Sequence, residues 1–427
     1  MILAYRILTT ILYPLLILLI YYRKIIKKED SKRYKEKIFI SNFEVKNKGS
    51  SKLIWFHAAS IGEFKSILPI IEELNIKNPN LKFLTTTNTL SSGNLAKIEL
   101  RRFNNVEHRY FPLDVPFLME KFISLWRPDR IFLVDSEIWP NLILKSKQMK
   151  IPIALINGRL TSKSFKRWMI FKNVAKKIFR MFDLCLCSNN ESANYLNKLN
   201  VQNVYFKGNL KLVGEIEEKG IKNINEDFLK EQKFWFAASV HKEETLFCLK
   251  THIELKKSLK QIISIIAPRH IQTSKEIKSS AEKLGLNVQI INKNEHILKN
   301  KEIIIINYFG ELQSYFKYSK SVFMGKSTIK RLKNDSGQNP IEAAKLKCKI
   351  YFGQYVYNFE EIYQILVQNK IATKIKDYHE LSQNIIKDLR IPNNEKSISS
   401  DKIQDLGRKT LIDTINVLNS FLKNENI

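Results

Sequence analysis

Residues 53–87 read LIWFHAASIGEFKSILPIIEELNIKNPNLKFLTTT and carry two periodicities side by side. The run Leu53–His57 is continuously apolar before its terminal histidine, which suits a strand covered on both faces. Residues 64–74 repeat apolar side chains at helical spacing, and 81–87 returns to a short apolar and β-branched run. Strand, helix and strand at this spacing make a βαβ unit, whose two strands must be parallel. Outward from it, 130–135, 151–156 and 184–188 read as further strands, while 117–125 and 191–199 read as helices. A second series follows at 234–238, 261–267, 288–291, 302–306, 321–324 and 348–351. Between the series lies a polar stretch, 208–232, without strong periodicity. The expected fold class is therefore α/β: two Rossmann-like domains with a cleft between them.

A chain of 427 residues has room for two or three domains. Its 44% apolar and 26% charged residues exclude a wholly disordered or fibrous protein. With 71 Lys and Arg against 42 Asp and Glu, the formal charge is +29. That excess points to anionic partners, although enrichment in Lys, Asn and Ile throughout supplies part of it. The four cysteines form neither a disulfide framework nor a zinc-ligand spacing, so a reducing compartment fits and no metal site is expected.

The N-terminus is distinctive. Residues 7–22, ILTTILYPLLILLIYY, are uncharged and follow Arg6; Arg23, Lys24, Lys27, Lys28, Lys32, Arg33, Lys35 and Lys37 come after. No small-residue cleavage site follows, so an uncleaved membrane anchor with the body on the cytoplasmic side is expected. A buried core helix is the alternative.

Ligands of open α/β sheets collect at the carboxyl ends of strands, which makes the strand-to-loop junctions informative. After the first strand, Ser60 and Glu63 form a capping box, and a helix N-terminus favours an ionised carboxylate there. A capping role and a catalytic role stand equally open. After 130–134, Asp135 and Glu137 precede Trp139-Pro140-Asn141, either a solvated loop or a site. In the second half, Pro268-Arg269 ends a strand with a cation suited to phosphate. Phe309-Gly310-Glu311 follows another strand, and Asn339-Pro340-Ile341-Glu342 looks like a helix start with Asn339 as N-cap. No G-x-G-x-x-G follows the first strand, and Gly325-Lys326-Ser327 lacks the leading glycine of a P-loop.

Taken together, His57 to Glu63, Thr85 to Thr89, Asp135 to Asn141, Asn157 to Leu160, Gly208 to Lys211, Ala267 to His270, Gly310-Glu311, Asn339 to Glu342 and Gly353 to Phe359 resemble the 3-deoxy-D-manno-octulosonic acid (Kdo) transferases of lipopolysaccharide synthesis. The motifs run in family order across nearly the whole chain. The resemblance implies a GT-B glycosyltransferase that moves Kdo from CMP-Kdo to the lipid A precursor (lipid IVA) with inversion at the donor carbon. It implies a membrane anchor and connector over 1–37, an acceptor-binding domain over 38–212 and a CMP-sugar-binding domain over 213–427. Glu63 matches the family's general base. Asp135, where the family usually has Glu, and Lys211 match its transition-state pair. Pro268, Arg269, Phe309, Gly310, Glu311, Asn339, Pro340, Ile341 and Glu342 match the CMP-binding segments. No metal or other cofactor is implied. The expected partners are CMP-Kdo, the lipid A precursor and an anionic inner-membrane leaflet, with no nucleic acid. Lys326, Ser336, Asn307 and Gln338 depart from the family's usual Gly, Gly, Asp and His. Two other classes stay open: an envelope GT-B transferase using a UDP-sugar and, more remotely, a membrane-tethered nucleic-acid-binding protein. The latter would want basic residues interleaved with aromatics on one face.

Overall fold

The computed structural model of the chain describes residues 2–45, 51–214, 216–390 and 398–423. It divides into two compact units, Met1–Gly214 with Leu406–Ile427, and Glu215–Asp405.

The first unit is built on seven parallel strands: β1 (Leu53–His57), β2 (Lys82–Thr87), β3 (Val106–Tyr110), β4 (Arg130–Val134), β5 (Ile153–Gly158), β6 (Leu184–Cys187) and β7 (Val204–Phe206). Their spatial order is β3-β2-β1-β4-β5-β6-β7, so the winding reverses between β1 and β4. His57 lies opposite Thr86 on one side and Leu133 on the other. Alternate side chains feed two cores. Ile54, Phe56, Phe132 and Val134 enter one, while Trp55, Ile131 and Leu133 enter the other. Both faces are therefore dry, which is why these strands read as unbroken apolar runs rather than alternating ones.

Six helices begin this unit: α1 (Ile2–Ile11), α2 (Tyr13–Ile25), α3 (Ile61–Lys77), α4 (Leu90–Glu99), α5 (Pro116–Trp126) and α6 (Pro140–Gln148). The apolar N-terminal run, expected as one anchor, is two helices bent by 57°, and no single helix among the described residues is long and apolar enough to cross a membrane. The break falls at Leu12, with Pro14 in the first turn of α2. Proline has no N–H to donate, and its ring crowds the carbonyl four residues back.

The expected boundary 213–427 needs correction at its far end. The last helix, Ile398–Lys423, leaves the second unit and packs onto the first. Ile415, Leu418 and Phe421 join the core of Phe56 and Phe132. The ring of Phe421 meets Phe132 at 5.9 Å, and Arg130 Nε donates to the Phe421 carbonyl at 3.3 Å. Gly407 lies against the Leu212 carbonyl so closely that a Cβ there would come within 2.6 Å of it.

The second unit repeats the plan with β8 (Phe234–Val240), β9 (Ile263–Pro268), β10 (Val288–Ile291), β11 (Ile303–Ile306), β12 (Ser321–Met324), β13 (Lys349–Phe352) and β14 (Ala372–Lys374). These are also parallel, in the order β10-β11-β9-β8-β12-β13-β14, with the reversal between β8 and β12.

Candidate active site at the strand ends

The reversal point of an open parallel sheet leaves a crevice at its carboxyl edge, because neighbouring crossovers depart to opposite faces there. In the first unit the residues leaving β1 and β4 are the ones singled out from sequence. Ser60 caps α3, and its hydroxyl donates to Glu63 Oε1 at 2.8 Å. Glu63 Oε2 accepts from the Ala59 N–H at 2.8 Å. The capping box exists, and its carboxylate is oriented by two donors at the start of a helix. Burial pushes the Glu63 carboxyl above its ordinary value, with Glu137 and then Asp135 adding to the rise, while the bonds from Ser60 and Ala59 oppose it. A Cβ at Gly62 would meet no protein atom, so the first turn of α3 is open beside this carboxylate.

Asp135 leaves β4 in the left-handed region, with φ of 59°. That turn aims its side chain at Lys211, whose Nζ donates to Asp135 Oδ2 at 2.6 Å. The shorter acid, where the family usually has Glu, thus reaches the ammonium. Lys211 sits in a short turn pinned from two sides. Asn209 Oδ1 accepts from the Lys211 N–H at 3.0 Å, and Asn157 Oδ1 from the Leu210 N–H at 2.9 Å. Asn157 is held at φ of 51°, close to where β5 shifts register against β6.

Sequence reading missed the network behind this pair. Trp55 Nε1 donates to Thr86 Oγ1 at 2.9 Å, and that oxygen lies 2.9 Å from His57 Nδ1. His57 Nε2 is 3.2 Å from Glu137 Oε2, which also accepts from Trp139 Nε1 at 2.8 Å. The contacts with Thr86 Oγ1 and Glu137 are both hydrogen bonds if the Thr86 hydroxyl donates to Nδ1 and His57 carries its proton on Nε2; Nδ1 also lies 3.2 Å from the Thr86 carbonyl oxygen. His57 is fully buried and stacked on Phe111 at 3.8 Å. It contacts Glu137 from within the core, at the carboxyl end of β1. The signal in the sequence was a histidine ending one central strand and an acid just past the next.

The second unit has its own residues at carboxyl ends. Arg269 follows β9 and is exposed. Its backbone N–H donates to the Val240 carbonyl at 2.8 Å. Phe309 is 62% exposed, Gly310 takes φ of 98°, and Glu311 pairs with Lys293 at 3.0 Å. The helix expected after Asn339 is only Ile341–Lys345 and begins one residue later than Pro340, yet Asn339 Oδ1 accepts from the Ile341 N–H at 3.1 Å as a cap does.

Two departures from the family pattern have visible consequences. Lys326 adopts φ of 58°, a conformation that glycine enters without cost. Its N–H and those of Ser327 and Thr328 are collected by the buried carboxylate of Glu244 at 2.5, 2.9 and 3.0 Å. Ser336 is buried, and its hydroxyl donates to the Lys333 carbonyl and accepts from the Tyr357 N–H.

Two doubly wound parallel sheets, each with polar groups gathered at its carboxyl edge, define the GT-B class of α/β proteins. The same fold is seen in a UDP-N-acetylglucosamine 2-epimerase from Listeria monocytogenes, with a TM-score of 0.59 at 11% identity over 88% of this chain and 98% of that one. The chain belongs to the 3-deoxy-D-manno-octulosonic acid transferase family, and it is a glycosyltransferase. The family profile described as 3-deoxy-D-manno-octulosonic-acid transferase (kdotransferase) matches residues 32–213. A "probable 3-deoxy-D-manno-octulosonic acid transferase, mitochondrial" from Arabidopsis thaliana is 30% identical over 87% of this chain and 85% of its own length. The 3-deoxy-D-manno-octulosonic acid transferase of Rickettsia bellii is 27% identical over 98% of this chain and 99% of its own.

Proposed function

We propose that this glycosyltransferase moves Kdo from CMP-Kdo to a hydroxyl of the lipid A precursor lipid IVA, with inversion, at the cytoplasmic face of an inner membrane. The observation that carries this reading is the Glu63 carboxylate, held by two donors at the open start of α3 and made more basic by burial beside two other acids.

In an inverting transfer the acceptor oxygen bonds to the donor carbon as the bond from that carbon to the CMP phosphate oxygen breaks. The hydroxyl proton must leave in the same step, and Glu63 takes it. A carboxylate raised above its ordinary value is the stronger base for that task. Lys211, paired with Asp135, supplies a fixed cation for negative charge developing in the transition state. Arg269 and the segments 309–311 and 339–342 hold the nucleotide, with Arg269 answering the phosphate charge. Attachment of the N-terminal helices to the membrane keeps the catalytic unit where an acylated acceptor resides.

The test is product mass analysis with purified lipid IVA and CMP-Kdo, beside UDP-N-acetylglucosamine as competing donor. A mass gain of one or more Kdo units is expected. Transfer from the UDP-sugar alone would establish the rival donor class.

A further inference from the structure

We propose that α1 and α2 lie in the plane of one anionic leaflet, docked along the first unit, and do not span the bilayer. The inference depends on the proposed function only for the choice of lipid as occupant.

The two helices each present two faces. On α2, Tyr13, Leu16, Ile17 and Ile20, spaced three and four apart, pack against the unit; Ile20 is buried with Tyr34 and Ile38. On α1, Ile2 joins the same core, and Tyr5 Oη donates to Asp114 Oδ2 at 3.0 Å. Asp114 also accepts from the first N–H groups of α6, Asn141 and Leu142, at 2.9 Å each. Tyr13 donates to the Ile38 carbonyl and meets Phe117 edge-on at 5.0 Å. The bent pair is thus fixed near residues 5, 13 and 20.

At the described lengths of 10 and 13 residues, α1 and α2 reach about 15 and 20 Å against roughly 30 Å of hydrocarbon, so neither crosses alone, and as a pair they have the length to cross only as a span broken by the 57° bend. A straight crossing would have to break all three attachments. The opposite face is apolar and uncovered: Leu8, Ile11, Leu15, Leu18, Tyr22 and Ile25 are 53, 69, 61, 65, 59 and 77% exposed. Cations follow it. Arg23, Arg33 and Lys37 are committed to Glu29 and Glu36 within the protein. Lys27, Lys28, Lys32 and Lys35 remain exposed beyond the apolar stripe. An apolar stripe edged by lysines and tyrosines suits the boundary between acyl chains and anionic headgroups.

The test places a nitroxide label in turn at Ile7→Cys, Ile11→Cys, Leu15→Cys, Leu18→Cys and Tyr22→Cys of the full chain. The four native cysteines are buried and leave the labelling specific. The protein is bound to phosphatidylcholine–phosphatidylglycerol vesicles, and depth is read by oxygen and nickel-chelate accessibility. All five labels are expected at one shallow depth, about 5–10 Å below the headgroups. A profile reaching the bilayer centre near residue 15 would overturn the proposal in favour of a span. Absence of vesicle binding would overturn lipid as occupant. As a second arm, Ile11→Asp with Leu15→Asp should weaken vesicle binding at least tenfold with CMP affinity unchanged; undiminished binding would place the contact elsewhere. A shallow profile in protein that fails to bind CMP would support this attachment while refuting the donor assignment separately.

Discussion

Glu63→Gln separates the two roles that the capping box leaves open. Glutamine keeps the length and one carbonyl oxygen for the Ala59 N–H, and its amide can still meet Ser60. What it loses is the ability to take a proton. Positioned general bases contribute about 10²–10⁴ in rate, equivalent to roughly 2.7–5.4 kcal/mol of barrier. Stability moves far less. A charge-assisted capping bond weakens by about 1 kcal/mol, while repulsion from Glu137 and Asp135 disappears. The sign with pH follows from the raised carboxyl. In the native protein the folded state holds the Glu63 proton more tightly than the unfolded chain, so the stability this adds at low pH is lost as pH rises through the folded value. The variant has no such loss, so its melting temperature relative to wild type should rise from pH 4 to pH 8. The acid limb of wild-type kcat/KM should lie above that of an ordinary carboxylate, because transfer needs Glu63 ionised. The assay is single-turnover transfer with CMP-Kdo across pH, beside thermal melts. A variant within a few-fold of wild type, with an unchanged pH profile, would reduce Glu63 to a helix cap.

Lys211→Met should cost about 3–5 kcal/mol by leaving the buried Asp135 carboxylate without its cation. The double variant with Asp135→Asn should recover most of that stability in chemical denaturation but none of the activity; additive losses would show the pair uncoupled. Arg269→Ala should weaken CMP binding by roughly 10–150-fold, the worth of one charge-assisted contact at about 1.5–3 kcal/mol, and calorimetry showing unchanged affinity would remove it from the nucleotide site. Gly337→Ala introduces a Cβ 2.8 Å from the Val356 Cα at φ of +85°, so a loss of about 1–3 kcal/mol is expected in thermal unfolding. An unshifted melt would mean that the backbone around Val356 yields readily.

The sheets were legible where strands are buried on both faces and mostly obscure at their edges, β10 being the edge strand that could be read. Val106–Tyr110, Val204–Phe206 and Ala372–Lys374 escaped notice, and all three are edge strands with partly exposed side chains. An edge strand carries polar residues such as Glu107, His108 and Arg109 that blur any apolar signature. Glu63, Asp135 and Lys211 could be found because motif spacing marks them. Their mutual geometry could not, since 76 residues separate Asp135 from Lys211 and only the fold brings them to hydrogen-bond distance. The N-terminal run is ambiguous for another reason: a membrane span and a docked apolar helix share one composition, and the bonds that tie Tyr5, Thr9 and Tyr13 to Asp114, Asn141 and Ile38 leave no mark in it.

The path of the last helix has a consequence for biosynthesis. Strands β1 and β4 leave the ribosome long before residues 406–423, yet Ile415, Leu418 and Phe421 complete the core over Phe56 and Phe132. The second unit consists of residues 215–405 alone, so all of it is synthesised before the segment that closes the first. Order of synthesis and order of completion are therefore reversed: the first unit begun is the last one finished, and a released chain cut short after residue 405 would hold the whole of the second unit and a first unit with an open apolar seam.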